Sequence, residues 1–375
     1  MRIGIDIRRA DGFGVGTYTK NLVHSLARVG TGHDFVLIGR HEHLQHLGEL
    51  PANFSFEPYD RRYDAPRSHL TYGLALRRLG LDTLHVPHRW VPLSTPRPYV
   101  ATLHDLNNIL FPTAEGSKLK ENLSNSALRL GLKRAAKVIA VSNATKRDAV
   151  KRLGLSESNL EVVYDAVDDQ VAQPVTDGER QRTLERYSVA DPFILYAGRI
   201  QVHKNLPRLV DAFAVVKARL EKHTKLHSLK LIIIGDDIGA LPEVRHAVLR
   251  TRVQDSVRFL GFVPVETLRV FYASAEAFAF PSLYEGFGMP PLEAMANGTP
   301  VVTSNVSSLP EAVGDAAELV NPENVFDIAR GLQRVLVDDE HRALLRERGA
   351  RRVKAFSWDK SAKRVLEIYS EVTQR

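Results

Sequence analysis

The sequence predicts an α/β protein built from two doubly wound domains in tandem. Short β-rich apolar runs alternate with longer amphipathic patterns. The alternation stops in a polar stretch and then restarts. The chain's 375 residues are too many for one ordinary core and enough for two. Strands separated by helix-length patterns mark mostly parallel sheets with helices on both faces.

In chain order, residues 2–7 alternate like a strand and lead into the glycine-rich stretch Gly12-Phe13-Gly14-Val15-Gly16-Thr17-Tyr18. A helical pattern over 18–27 follows, then apolar strands at 34–38, 82–86, 99–103, 137–141 and 160–164, with a helical pattern over 118–135. The polar stretch reads as a connection. The alternation restarts with a strand at 193–197 and a helix at 206–220, and continues with strands at 229–234, 257–260, 277–280 and 300–303. Residues 358–372 read as a helix whose apolar positions include Ala362, Val365, Leu366 and Tyr369. The expected division is an N-terminal doubly wound domain at 1–170, a linker at 171–190, a C-terminal doubly wound domain at 191–356, and a tail helix at 357–375. Doubly wound sheets bind ligands outside the carboxyl ends of their strands, so two of them facing across a cleft place the site there.

Composition narrows the chemistry. With no cysteine, disulfides, thiolate metal sites and cysteine nucleophiles are excluded. A hydrophobic content of 44% with 25% charged residues is that of a soluble globular protein. The N-terminus lacks the apolar core of a signal peptide, and runs such as Leu231-Ile232-Ile233-Ile234 are too short to span a bilayer, so a cytoplasmic location is expected. The net charge of +7 suits phosphorylated substrates or an anionic membrane surface, while no nucleic-acid-binding module is present. Arg61, Arg62, Arg67, Arg77 and Arg78 form one basic cluster, and Arg342, Arg346, Arg348, Arg351, Arg352 and Lys354 another. Each reads either as a solvated helix face or as a contact for lipid headgroups at the inner face of the membrane.

Four motifs carry the candidate chemistry. Glu285-Gly286-Phe287-Gly288-Met289-Pro290-Pro291-Leu292-Glu293 follows a strand and opens a helix. Its glycines permit close ligand approach, its prolines suit a first turn, and the helix start offers amides to an anion. Glu293 is expected in that first turn, where dipole complementation is its plain alternative; for Glu285 the plain alternative is a solvated loop residue. Arg199 stands at a strand's carboxyl end and Lys204 just before the next helix, with Asn205 as expected N-cap. Two cations beside a helix start fit a phosphate or diphosphate, with a solvated basic loop as the plain alternative. The glycine loop with Gly14 and Gly16 can expose amides to phosphate or sugar oxygens, or serve simply as a tight turn; it is not the G-x-G-x-x-G fingerprint. His104-Asp105 ends the strand at 99–103, where a histidine can donate a hydrogen bond or titrate near neutrality. His85 and His88 flank Pro87 and are expected near the same cleft, but no third ligand has metal-site spacing.

Together these residues resemble the retaining glycosyltransferases of family four with the GT-B fold, two Rossmann-like domains facing across a cleft. The glycine loop, His104-Asp105, Val141-Ser142-Asn143, Tyr196-Ala197-Gly198-Arg199, Lys204-Asn205, Glu285…Glu293 and Ser308-Leu309-Pro310-Glu311 occur in the family's order. The resemblance implies that Arg199 and Lys204 hold the donor diphosphate and that Glu285 holds sugar hydroxyls. Gly286, Phe287 and Gly288 would offer backbone contacts to the sugar, and Glu293 would bind the ribose. Gly14 and Gly16 would approach phosphates or acceptor, and His104 the transferred sugar. The first domain would be the acceptor side, the second would bind the nucleotide sugar, and the tail helix containing Trp358 would pack back on the first.

Two departures stand out. Tyr164-Asp165-Ala166-Val167-Asp168 has Asp-Ala where Asn-Gly is common, and Gly235-Asp236-Asp237 lacks a second glycine. The implied activity is transfer of a hexosyl unit, mannosyl first, from a nucleotide-diphosphate sugar to a hydroxyl of a glycan or lipid-linked acceptor. GDP-mannose is the expected donor and UDP-glucose the alternative; no cofactor or metal is implied. A sugar phosphorylase or sucrose-type enzyme on the same fold, and a non-catalytic nucleotide-sugar-binding subunit, are the competing readings.

Overall fold

In the computed structural model the apolar runs become two separate parallel sheets, one in each of two units. The first unit comprises Met1–Asp165 with Ser357–Arg375, the second Ala166–Phe356. Residues 1–12, 14–62, 67–112, 118–236, 239 and 241–374 are described, with 68 and 118–121 described by backbone alone. Phe13 of the glycine loop and Asp237 therefore lie outside the described residues.

The first sheet consists, among the described residues, of β1 (Arg2–Asp6), β2 (Asp34–Gly39), β3 (Phe54–Pro58), β4 (Thr83–Val86), β5 (Tyr99–Leu103), β6 (Lys137–Ala140) and β7 (Leu160–Val162). Their order is β3-β2-β1-β4-β5-β6-β7, and every pairing is parallel. The central strands β4, β5 and β6 are buried along their whole length and are mostly apolar, with Thr83, His85, Thr102 and Lys137 as buried polar exceptions. The strand order reverses between β1 and β4, so the carboxyl ends of these two strands flank the ligand-binding crevice of such a sheet. Helix Val15–Val29 leaves β1 through the glycine loop. The tail helix Trp358–Thr373 belongs to this unit and buries Trp358, Ala362, Val365, Ile368, Tyr369 and Val372, one stripe at helical spacing. Trp358 meets Tyr18 edge to face at 5.5 Å. Each large apolar side chain buried this way contributes about 1.5–3 kcal/mol.

The second sheet consists of β8 (Phe193–Ala197), β9 (Lys230–Ile234), β10 (Val257–Gly261), β11 (Ala277–Phe280), β12 (Val301–Ser304) and β13 (Ala317–Val320), ordered β10-β9-β8-β11-β12-β13 and again parallel throughout. Here the order reverses between β8 and β11. The polar stretch 171–190, expected as a connection, lies in this unit and carries helix Asp177–Arg186. That helix buries no residue, so it shows no apolar period. Instead, a capping box between Thr176 and Glu179 closes its start, a device typically stabilising by about 1 kcal/mol, and Glu179 pairs with Arg269 at 2.6 Å.

Candidate active site

The carboxyl ends of β8 and β11, neighbours at the switch point of the second sheet, bring two sequence-distant motifs together. β8 is followed by Gly198-Arg199, and the chain then runs through the 3₁₀ turn Val202–Lys204 to helix Leu206–Arg219. β11 ends in Phe280-Pro281 and leads to Glu285. The Lys204 ammonium lies 2.6 Å from Glu285 Oε1, with side-chain exposures of only 12% and 10%. It also sits 4.9 Å from the centre of the Phe280 ring. A buried cation and anion are tolerated because each neutralises the other.

The surrounding backbone holds this pair in place. Asn205 is not the side-chain N-cap the sequence suggested. It adopts a left-handed conformation (φ 63°) and its Nδ2 donates to the carbonyls of Pro281 (3.0 Å) and Pro322 (2.7 Å). It thus ties the Lys204 turn to the end of β11. On the other side, the Glu285 N–H donates to Ser307 Oγ at 3.1 Å, and the Glu285 carbonyl accepts from Ser307 Oγ (2.7 Å) and Ser308 Oγ (2.9 Å). Ser308 Oγ also lies within hydrogen-bonding distance of the Phe287 carbonyl at 2.7 Å. The two serines clamp the Glu285–Gly288 loop, a role visible only once the loop and helix Leu309–Val313 meet in space.

Arg199 is half-exposed and its Nε lies 3.3 Å from Asp236 Oδ2. Asp236 also accepts from the Ile200 N–H at 2.6 Å, so it organises the loop after β8. Sequence reasoning took the 235–237 stretch as a missing glycine and did not anticipate this carboxylate. Gly286 and Phe287 fall in the clamped loop. The Phe287 ring packs on Phe356 at 5.3 Å, and Gly288 has φ 121°, with an added Cβ only 2.9 Å from Leu309.

The helix start after Gly288 needs two corrections. Helix Met289–Ala296 begins with Pro290 and Pro291 in its first positions, and proline has no N–H. Of the first four residues only Met289 and Leu292 carry amides, so this end is a weaker anion site than a free helix start. Glu293 is the fifth residue and lies in the second turn, not the first, so dipole complementation does not explain it. Its Oε2 accepts from Tyr272 Oη at 2.9 Å. Burial pushes the carboxyl from 4.5 up to about 7; the Tyr272 bond opposes that shift and the nearby Asp168 adds to it.

In the first unit, Gly14 and Gly16 have different duties. Gly14 (φ 70°) is exposed and precedes helix Val15–Val29; an added Cβ there would meet nothing within 4 Å. Gly16 is buried, and a Cβ would stand 2.6 Å from the Ala10 carbonyl oxygen. His104 directs its N–H to the chain itself. Its Nε2 lies 3.0 Å from the Pro87 carbonyl, which only accepts, so the ring is protonated there and Nδ1 is an acceptor. Burial pushes its pKa down to about 4, and the ring packs edge-on against Tyr18 at 4.7 Å. His85 is enclosed in the core rather than lining a cleft. Its ring bonds Tyr369 Oη (2.6 Å) and Thr102 Oγ1 (2.8 Å), and burial lowers its pKa to about 3.

Two features escaped the sequence reading. At the carboxyl end of β1, Asp6 and Arg8 form a buried bidentate pair, with Arg8 Nε 2.9 Å from Asp6 Oδ1 and the guanidinium 4.1 Å over the Tyr72 ring. Burial alone would raise the Asp6 carboxyl; the Arg8 charge and hydrogen bonds hold it far below the usual carboxylate range. Asp165, at the end of the first unit, is buried, and its Oδ1 has no hydrogen-bond partner among the described residues. The signal was present as the Asp-Ala departure. Among the described residues no group of histidine and acidic side chains could hold a metal ion, and no helix is long and apolar enough to cross a membrane. Much of the second basic cluster is internally engaged. Arg342 pairs with Glu276 at 3.4 Å, Arg348 with Asp315 at 3.4 Å, and Arg352 donates to the Ala312 carbonyl at 2.8 Å.

Two parallel doubly wound sheets, one in each unit, are the architecture of the GT-B glycosyltransferases. The chain belongs to the GT-B glycosyltransferases of family 4: the "Glycosyltransferase Family 4" description matches residues 13–171 and "Glycosyl transferases group 1" matches 179–352. The O-antigen chain mannosyltransferase B of Escherichia coli is 31% identical over 291 residues, covering 76% of this chain and 73% of that protein. A serotype-specific mannosyltransferase, WbdA of Escherichia coli, is 28% identical over 242 residues; the match covers 64% of this chain and 29% of WbdA. Among solved structures, Anabaena HepE in complex with UDP and glucose superposes with a TM-score of 0.77 at 18% identity, covering 99% of this chain and all of that one, a likeness of fold.

Proposed function

We propose that this glycosyltransferase moves a mannosyl unit from GDP-mannose to a hydroxyl of a glycan or lipid-linked acceptor, with retention at the anomeric carbon. UDP-glucose is the alternative donor. The observation that carries the reading is the meeting of Lys204 and Glu285 at the β8–β11 switch point, with Arg199 on the adjoining loop. Lys204 and Arg199 suit a leaving diphosphate, whose negative charge grows as the glycosidic bond breaks. Glu285 suits sugar hydroxyls, and Glu293 the ribose. The acceptor proton passes to the departing phosphate on the same face, so no protein base is needed. A neutral His104 is consistent with that, since its role is then to touch the sugar and not to move a proton. The backbone of Gly14 and Gly16 belongs to the same proposal, at the phosphates or the acceptor. Mannosyl transfer is favoured by the names of the relatives, and a nucleotide-sugar donor by the UDP and glucose held by HepE.

Two measurements test the reading. Arg199→Ala or Lys204→Met should lower kcat/KM for the nucleotide sugar by about 10²–10³-fold; unchanged transfer refutes the diphosphate role. A screen of nucleotide sugars should show one that stabilises the protein, by about 2.7 kcal/mol at a hundredfold excess over its Kd. A cytoplasmic enzyme touching the membrane from its inner face is part of the same proposal. Helix Ser68–Arg77 supports it, exposing Leu70 and Leu74 beside Arg67, Arg77 and Arg78. Salt-sensitive flotation with anionic liposomes checks it, and no flotation at low salt removes it.

A further inference from the structure

Across the core of the first unit runs a chain of hydrogen bonds that no step of the transfer uses. Tyr369 Oη of the tail helix lies 2.6 Å from His85 Nδ1 on β4. His85 Nε2 lies 2.8 Å from Thr102 Oγ1 on β5, and Thr102 Oγ1 lies 3.1 Å from Tyr18 Oη on helix Val15–Val29. All four side chains are buried. Burial keeps the His85 ring neutral, with its pKa lowered to about 3, so the ring has one N–H and one bare nitrogen. One hydroxyl therefore donates to the ring and the other accepts from it, and both nitrogens are used. Four apolar side chains of similar shape would fill the same space with no polar group to satisfy. A fully satisfied buried network instead fixes its members in one arrangement.

The chain ends on the Tyr18 ring, and that ring touches His104. The two rings meet edge to face at 4.7 Å and 83°. Trp358, at the start of the tail helix, also meets Tyr18, at 5.5 Å. His104 is held by its Nε2–H bond to the Pro87 carbonyl at 3.0 Å. The torsion that turns a histidine ring is broad, so that single bond sets the ring plane loosely. The Tyr18 contact supplies the second restraint. We infer that Tyr369, His85 and Thr102 are positioning residues for the transfer: they hold the Tyr18 ring against His104 and so set the plane in which His104 Nδ1 meets a hydroxyl of the transferred sugar. The inference rests on the role proposed for His104. Nδ1 accepts from that hydroxyl, and a tilt of the ring swings its lone pair off the donor. The tail helix thus acts on the site through Tyr369 without touching the substrate.

Tyr369→Phe and Tyr18→Phe each remove one hydroxyl of the chain and keep the ring. Tyr99→Phe is the control, since it removes a buried tyrosine hydroxyl bonded to the Gly131 carbonyl in the same unit. The first readout needs no substrate. In imidazole NMR of the whole chain, the His104 ring signals, assigned by their absence in His104→Ala, should move in Tyr369→Phe and Tyr18→Phe and stay in place in Tyr99→Phe. Unmoved signals in a folded Tyr369→Phe overturn the inference. The second readout is release of GDP from GDP-mannose, or of UDP from UDP-glucose, in a double-mutant cycle. Tyr369→Phe should lower kcat/KM at least about threefold when His104 is present and cost nothing further in His104→Ala. Destabilisation alone would give an equal loss in both backgrounds, and that result overturns the inference. If the ring signals move as expected but His104→Ala transfers like the native chain, the sugar role of His104 is what fails, and the inference falls with it while the ring contact stands.

Discussion

Replacing Asp165 with asparagine should stabilise the first unit, by an amount that grows with pH. The carboxyl is 7% exposed, and its Oδ1 has no hydrogen-bond partner among the described residues. Burial pushes it from 3.8 up to about 8. Between those values the folded chain keeps a proton that the unfolded chain has released. Native stability therefore falls as pH rises from about 4 to about 8, and levels off above. Each pH unit in that window costs about 1.4 kcal/mol, which sets a ceiling of roughly 6 kcal/mol. Relaxation and water penetration around a buried charge reduce this to roughly 2–4 kcal/mol. Asparagine is neutral in both states and lacks the slope. The assay is urea unfolding of both proteins from pH 5 to 9, followed by tryptophan fluorescence. The chain's 2 tryptophans, Trp90 and Trp358, both lie in the first unit, so the signal reports the unit that holds Asp165. All other titrations cancel in the difference between the two proteins. The stability gap should widen by about 1 kcal/mol per pH unit between 5 and 8. A gap that stays constant with pH, or an asparagine variant less stable at pH 8, refutes the reasoning.

Tyr272→Phe removes the 2.9 Å hydrogen bond that keeps the Glu293 carboxyl from rising further, so Glu293 should titrate above its present value of about 7. If Glu293 binds the donor as a carboxylate, KM for the nucleotide sugar rises as pH falls through that value. The variant should show the rise beginning at higher pH with kcat less affected, and an unmoved profile counts against the role. Gly16→Ala drives a methyl to 2.6 Å from the Ala10 carbonyl oxygen and should destabilise by about 1–3 kcal/mol in urea unfolding despite alanine's helix propensity. Gly14→Ala meets no such atom, so its cost should be the backbone strain alone, about 1–2 kcal/mol.

The strands most legible in the sequence are those buried along their whole length, although the partly buried edge strands β7 and β10 were also anticipated. β8 and β11 are unbroken apolar runs, and β4, β5 and β6 are mostly apolar, with their polar residues Thr83, His85, Thr102 and Lys137 buried as well. The edge strands β3 and β13 were not anticipated. In β3 no residue is fully buried, and in β13 Glu318 interrupts the apolar run. Glu318 is admitted there because Arg330 (2.7 Å), Arg334 (3.2 Å) and His341 (2.9 Å) surround its carboxylate, and all three partners come from later helices. Helix Asp177–Arg186 was missed for the complementary reason: it buries nothing, so only its capping box marks it.

At the site, the sequence reading grouped the charged residues by the ligand they would meet and not by their contacts with one another. Arg199 and Lys204 looked like cations awaiting a phosphate, and Glu285 like a carboxylate awaiting a hydroxyl. What was not legible is that Lys204 and Glu285 face each other, because 81 residues separate them and their contact follows from β8 lying beside β11. A parallel sheet places strands side by side through crossovers that local patterns do not encode. Once the neighbours are known, the charges become compensating pairs, Lys204 with Glu285 and Arg199 with Asp236. On the roles proposed for these residues, the free energy of donor binding is the difference between two sets of pairings, not the sum of new contacts. A ligand that replaces only half of a pair gains little, however well it fits the half it meets.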